Sequence, residues 1–215
     1  MLGHLREMAD ATRLPVNADF QNGFADQPAD LIKTVTSCVE TGVAGLSIED
    51  SVPGESRTLY DRSAAIERIK AARAAIDATG IPVLLTARCE AWLVGDPEPL
   101  KAVLDRLVAF AEAGADCLYA PGVRDAQEIS AIVNAVAPKP VNVLVFSPEA
   151  GLTVDSLRQL GVRRVSVGGA LARVAWGAFI RAARSIAETG SFEAFADVAS
   201  SPDLNKIFRD RAKTF

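Results

Sequence analysis

Six short runs punctuate the chain, an apolar one that breaks into an acid, amides and a glycine at residues 14–23 and others at 45–50, 83–88, 117–120, 141–146 and 164–167, and between them apolar residues recur every three or four positions. The first pattern is that of buried strands and the second that of helices with one apolar face. Leu31, Val35, Cys38 and Val39 form one such stripe, and Ile66, Ile69 and Ile76 a second. Leu100, Leu104, Leu107 and Ala111 form a third, and Ile129, Ile132, Val133 and Val136 a fourth. A short helix is predicted over 153–160, a long one from Ala170 to about Glu188, and one or two short ones over 191–215. Residues 1–13, with Leu2, Leu5 and Met8 at threefold spacing, have the pattern of a helix tail.

Helix boundaries are marked. Asp26 with Pro28, Asp61, and Asp96 with Pro97 are predicted starts, and Asp125 with Glu128 is a predicted capping box. Gly42, Gly80, Gly114 and Gly161 stand where each helix hands over to the next strand. Strands that are apolar throughout suit a parallel sheet covered on both faces. Regular strand–helix alternation without a dinucleotide fingerprint predicts an α/β fold of the (β/α)8 TIM-barrel type, here incomplete with about six βα units. The expected organisation is a partial barrel over 1–190 and a C-terminal helical arm over 191–215.

Composition narrows the function. The chain has 215 residues, 49% hydrophobic and 23% charged, with a net charge of -4, which argues against nucleic-acid binding. Arg163-Arg164 is too short to form a basic face. No apolar run approaches a membrane span, and the charged first ten residues do not form a signal peptide. Cys38, Cys89 and Cys117 are odd in number and widely spaced, so neither a disulfide framework nor a zinc site is expected, and a reducing cytoplasm fits. His4, the sole histidine, is expected on a surface helix.

In a parallel barrel the C-terminal strand ends share one face. That face would collect Asp19, Glu49, Asp50, Arg88, Glu90 and Gly168, with Asn17 sharing a strand face with Asp19. Two or three carboxylates suit magnesium, and an arginine offers a planar fork to a substrate carboxylate. Bland roles compete: Asp19 with Asn22-Gly23 can be a turn, Glu49 and Asp50 can cap a loop, and Arg88 can be a structural ion-pair partner. Gly168-Gly169 can serve helix packing or hold a phosphate at a helix N-terminus. Cys89 faces away from Arg88 and is expected to be buried structure.

Four motifs in order, Leu14-Pro-Val-Asn-Ala-Asp-Phe-Gln-Asn-Gly, Val43-Ala-Gly-Leu-Ser-Ile-Glu-Asp, Leu85-Thr-Ala-Arg-Cys-Glu-Ala and Ser166-Val-Gly-Gly-Ala-Leu, resemble those of the isocitrate lyase and phosphoenolpyruvate mutase superfamily. The resemblance implies a magnesium-dependent barrel acting on a small 2-oxo acid or dicarboxylate and breaking C–C or P–C bonds through an enolate-type intermediate. It places metal binding on Asp19 and Glu49 and substrate binding on Arg88, Asn17 and Gly168, with Arg88 and Glu49 catalytic. Asn17 replaces the first member of the superfamily's Asp-x-Asp pair. Residues 51–60 contain neither the cysteine nor the lysines of the superfamily's catalytic-cysteine loop, which argues against methylisocitrate cleavage by that route. The resemblance also implies two βα units ahead of the first strand, so the chain is expected to be an N-terminally shortened form. A homo-oligomer exchanging the helix at 201–215 is implied as well. The leading expectation is a carbon–carbon lyase such as an oxaloacetate decarboxylase-like or methylisocitrate lyase-like enzyme. The alternatives are P–C bond chemistry, a phosphate-binding barrel, and an inactive subunit.

Overall fold

The computed structural model describes residues 1–54 and 58–214, the last five as backbone only. They form two compact units, Met1–Ser166 and Val167–Phe215.

In chain order the first unit contains α1 (Leu2–Asp10), β1 (Asn17–Asp19), α2 (Pro28–Val39), β2 (Gly45–Glu49), β3 (Ser51–Val52), β4 (Thr58–Leu59) and α3 (Arg62–Thr79). There follow β5 (Leu84–Arg88), α4 (Ala91–Val94), α5 (Pro99–Glu112), β6 (Cys117–Tyr119), α6 (Ala126–Val136), β7 (Val141–Leu144), α7 (Val154–Gln159) and β8 (Arg164–Ser166). The six expected strands all form, in one sheet of order β1-β2-β5-β6-β7-β8, and every neighbouring pair is parallel. Their C-terminal ends therefore share one edge.

Strand alternation divides the sheet chemically. Ala18, Leu46, Ile48, Leu85, Ala87, Leu118 and Val143 are buried in a single core with Leu31, Val35, Ile69, Ile76, Leu107, Phe110, Ile129 and Ile132 from the helices. The intervening residues Asn17, Asp19, Ser47, Glu49, Thr86, Arg88, Tyr119 and Asn142 belong to the other face. That face is polar, unlike the branched aliphatic layers that fill many barrels.

Helix ends depart from expectation in detail. Gln27, not Asp26, occupies the N-cap of α2 and makes no side-chain cap bond; Asp26 instead accepts a hydrogen bond from the Tyr60 hydroxyl at 2.6 Å. Asp61 lies at the N-cap of α3 without a side-chain cap bond. Asp96-Pro97 does not open a helix: α4 precedes it and α5 begins at Pro99. Asp125 does cap α6, accepting from the Gln127 and Glu128 N–H groups at 2.8 and 3.0 Å. The reciprocal capping box forms at α7, between Thr153 and Ser156. All four hand-over glycines have positive φ; at Gly114 (φ +105°) a Cβ would also lie 2.8 Å from the Arg73 side chain. The segment at 51–60 carries the antiparallel pair β3–β4, and residues 55–57 of it lie outside the described residues.

The second unit contains α8 (Ala170–Thr189), a 3-10 turn at Glu193–Asp197 and α9 (Ser201–Thr214). Trp176 and Phe179, three residues apart on α8, meet edge to face at 5.7 Å. Gly168, with φ +51°, belongs to this unit. Among the described residues no helix is long and apolar enough to cross a membrane.

Candidate active site

Register assembles the site. Asp19 pairs with Ser47, Glu49 with Arg88, and Arg88 with Tyr119, so side chains 69 residues apart in sequence meet at the sheet's C-terminal edge. The Arg88 guanidinium is the centre. Its Nη1 donates to Asp19 Oδ1 at 2.7 Å, its Nε donates to Glu90 Oε1 at 3.0 Å, and its Nη2 lies 3.4 Å from Glu49 Oε2. The Tyr119 ring centroid is 5.1 Å from the guanidinium carbon, a cation–π contact. Ser51 Oγ donates to Glu49 Oε1 at 2.9 Å, and Ser47 Oγ lies 3.4 Å from both Asp19 Oδ1 and the Ala18 carbonyl.

The three acids around Arg88 differ in exposure. The side chain of Asp19 is 72% exposed, that of Glu49 18% and that of Glu90 4%. Burial pushes the Glu90 carboxyl up to about 7, because desolvation together with the charges of Glu49 and Asp50 outweighs the attraction of Arg88. Burial opposes the charge on Arg88 too, but Glu90, Asp19 and Glu49 together overcome it and hold its pKa above the ordinary value.

A second ion pair lies behind the first. Asp50 accepts the Glu90 N–H at 2.8 Å and an Arg106 Nη1 hydrogen bond at 3.1 Å, and Arg106 Nη2 donates to the Tyr60 carbonyl at 2.8 Å. Burial raises the pKa of Asp50 in spite of these partners. Further along the same face, Arg164 donates to Asn142 Oδ1 and Thr86 Oγ1, each at 3.0 Å, and Asn142 donates to Ser166 Oγ at 2.9 Å.

The structure thus brings together Asp19, Glu49, Arg88 and Glu90, with Asp50 behind them. Asn17 shares the strand face of Asp19, as expected, but its amide donates to the adjacent Ala18 carbonyl at 3.4 Å, and its side chain lies over Gly45. Cys89 is fully buried and its thiol pKa is raised by that burial, in keeping with a structural role. Sequence reasoning overlooked Arg106, Tyr119, Ser47 and Ser51. The signal for Arg106 was Asp50: an acid closing a buried strand calls for a cation, and the neighbouring helix carries one beside Leu107.

The chain matches the sequence profile of the phosphoenolpyruvate phosphomutase family over residues 1–187. It belongs to the isocitrate lyase/phosphoenolpyruvate mutase superfamily. It is 32% identical over 170 residues to 2-methylisocitrate lyase of Escherichia coli, covering 75% of this chain and 55% of that protein. With an oxaloacetate decarboxylase of Rhodopseudomonas palustris it shares 30% identity over 212 residues, 95% of this chain and 70% of the relative. A solved Burkholderia cenocepacia protein of the lyase/mutase type superposes with a TM-score of 0.89 at 45% identity, covering 97% of this chain and 74% of that one. The chain therefore spans little more than half the length of the E. coli relative.

The superfamily resemblance implies a metal, and the donor chemistry here fits a hard cation. Asp19 and Glu49 offer carboxylate oxygens at one strand edge, with Ser47 and Ser51 hydroxyls within reach of them. Among the described residues no three acidic, histidine or cysteine side chains are arranged to hold a metal ion by themselves. A two-carboxylate set leaves the remaining positions of such a cation to water and substrate.

Proposed function

We propose that the protein is a magnesium-dependent carbon–carbon lyase acting on a small 2-oxo acid or related carboxylate through an enolate-type intermediate. The observation that supports it most is the largely buried Arg88 guanidinium, which directs both terminal nitrogens towards the strand-end carboxylates. A substrate carboxylate would take those two nitrogens in a bidentate pair, a geometry lysine does not supply. Tyr119 backs the guanidinium and Glu90 holds its Nε. Asp19 and Glu49, relieved of Arg88, would hold magnesium. When bound, that ion supplies Lewis-acid stabilisation of the negative charge developing on the substrate oxygen.

Decarboxylation of oxaloacetate fits this residue set. The breaking C–C bond leaves its electron pair on the carbon beside the ketone, carbon dioxide departs, and one proton returns to that carbon. The leaving group needs no proton, which suits a segment at 51–60 without cysteine, lysine or histidine. The name of the matching family supports P–C bond chemistry as a second reading, which an assay with phosphonopyruvate separates from the first. The test is oxaloacetate loss by the purified protein. A rate that requires magnesium, stops with chelator and disappears in Arg88→Ala supports the proposal. A rate indifferent to chelator, or equal in Arg88→Ala, refutes it.

A further inference from the structure

We infer that Glu90 is a positioning residue for Arg88, itself locked by Asp50 and Arg106, and that it acts through its reach to Nε and not through its charge. The inference rests on the reading of Arg88 as the carboxylate-binding group. It begins from an imbalance. Four carboxylates, Asp19, Glu49, Asp50 and Glu90, surround two guanidinium groups, Arg88 and Arg106. An anionic substrate gains nothing electrostatically from a fourth acid, and burying that acid is costly. Glu90 is also the most enclosed of the three acids that touch Arg88.

Geometry accounts for its presence. Glu90 takes only Nε, at 3.0 Å, so the guanidinium plane is set from its inner edge while Nη1 and Nη2 stay turned towards Asp19 and Glu49. The Tyr119 ring limits the guanidinium on another side. The backbone that carries Glu90 is pinned as well. Its N–H donates to Asp50 Oδ1 at 2.8 Å, the preceding Cys89 N–H donates to the Tyr119 carbonyl at 2.9 Å, and the Asp50 N–H donates to the Arg88 carbonyl at 3.1 Å. Arg106 fixes the other oxygen of Asp50 and the Tyr60 carbonyl. Arg88 is therefore held at both its main chain and its Nε by the buried residues Asp50 and Glu90, and a guanidinium oriented beforehand loses less freedom on binding.

Two conservative variants separate reach from charge. Glu90→Gln keeps an oxygen within reach of Nε and removes the charge; Glu90→Asp keeps the charge and shortens the arm by one methylene. Oxalate, a minimal dicarboxylate, is titrated calorimetrically into the full chain in magnesium buffer, with a melting curve for each variant. The expected result is that Glu90→Gln binds oxalate at least as tightly as the unmodified chain, and that Glu90→Asp binds at least tenfold more weakly. Equal affinities for both variants, or a loss confined to Glu90→Gln, would overturn the inference while leaving the role of Arg88 intact. If the unmodified chain and Arg88→Ala bind oxalate equally, the reading of Arg88 itself fails, and this inference falls with it.

Discussion

Replacing Glu90 by glutamine should flatten the pH dependence of folding stability, and the size of the effect follows from the environment of that side chain. Burial lifts its carboxyl from the ordinary 4.5 to about 7 against the pull of Arg88, with Glu49 and Asp50 adding like charge. Because the folded state holds its proton more tightly than the unfolded chain, the stabilisation is fully present below 4.5 and lost as pH rises through 7. A shift of that size corresponds to about 3 kcal/mol in total, of which about 2 kcal/mol falls between pH 5.5 and 8.5. Urea denaturation at half-unit intervals across that range measures it. The unmodified protein should lose about 2 kcal/mol more than Glu90→Gln between the two limits. Parallel curves for the two proteins would refute the reasoning, and a steeper loss in Glu90→Gln would reverse its sign.

Asp50→Ala should destabilise by about 3–5 kcal/mol in urea, because it leaves the largely buried Arg106 without its carboxylate and removes the acceptor of the Glu90 N–H. Gly45→Ala should cost about 1–3 kcal/mol by the same measurement, since the added Cβ would stand 2.6 Å from Asn17 Oδ1 and 3.3 Å from the Leu84 carbonyl oxygen. Cys38, Cys89 and Cys117 are buried with raised thiol pKa values, that of Cys38 up to about 12; all three should resist Ellman's reagent in the native protein and react once it is unfolded in guanidinium.

Much of the scaffold was legible because parallel α/β structure writes a simple code. The short runs at 14–23, 45–50, 83–88, 117–120, 141–146 and 164–167 became β1, β2, β5, β6, β7 and β8, although these strands alternate a core face with a largely polar one and are not apolar throughout as expected, and the threefold and fourfold stripes became α2, α3, α5 and α6. Caps were less legible. Aspartate beside proline looks like a helix start at both 26–28 and 96–97, yet Asp26 was drawn to Tyr60 and Asp96 to the Glu98 N–H. A short polar side chain takes whichever donor the fold brings nearest, and local sequence does not name a donor 34 residues away.

The site divides along the same line. Parallel strands end on one edge, which was enough to gather Asp19, Glu49 and Arg88 there, and alternation set Asn17 beside Asp19, since a strand's side chains repeat every two residues whatever its neighbours are. Which acid Arg88 holds by Nε, and what stands behind that acid, was decided only by tertiary structure. Glu90 follows β5 and lies outside its alternation, and Arg106 reaches Asp50 from a helix that begins at Pro99, beyond α4. The sequence alone determined the strands, the carboxylates and the arginine, because these follow from local periodicity. The enclosure that raises Glu90 and turns Arg88 came from packing α5 and β6 against β5, because desolvation and ion-pair geometry exist only once distant segments have met.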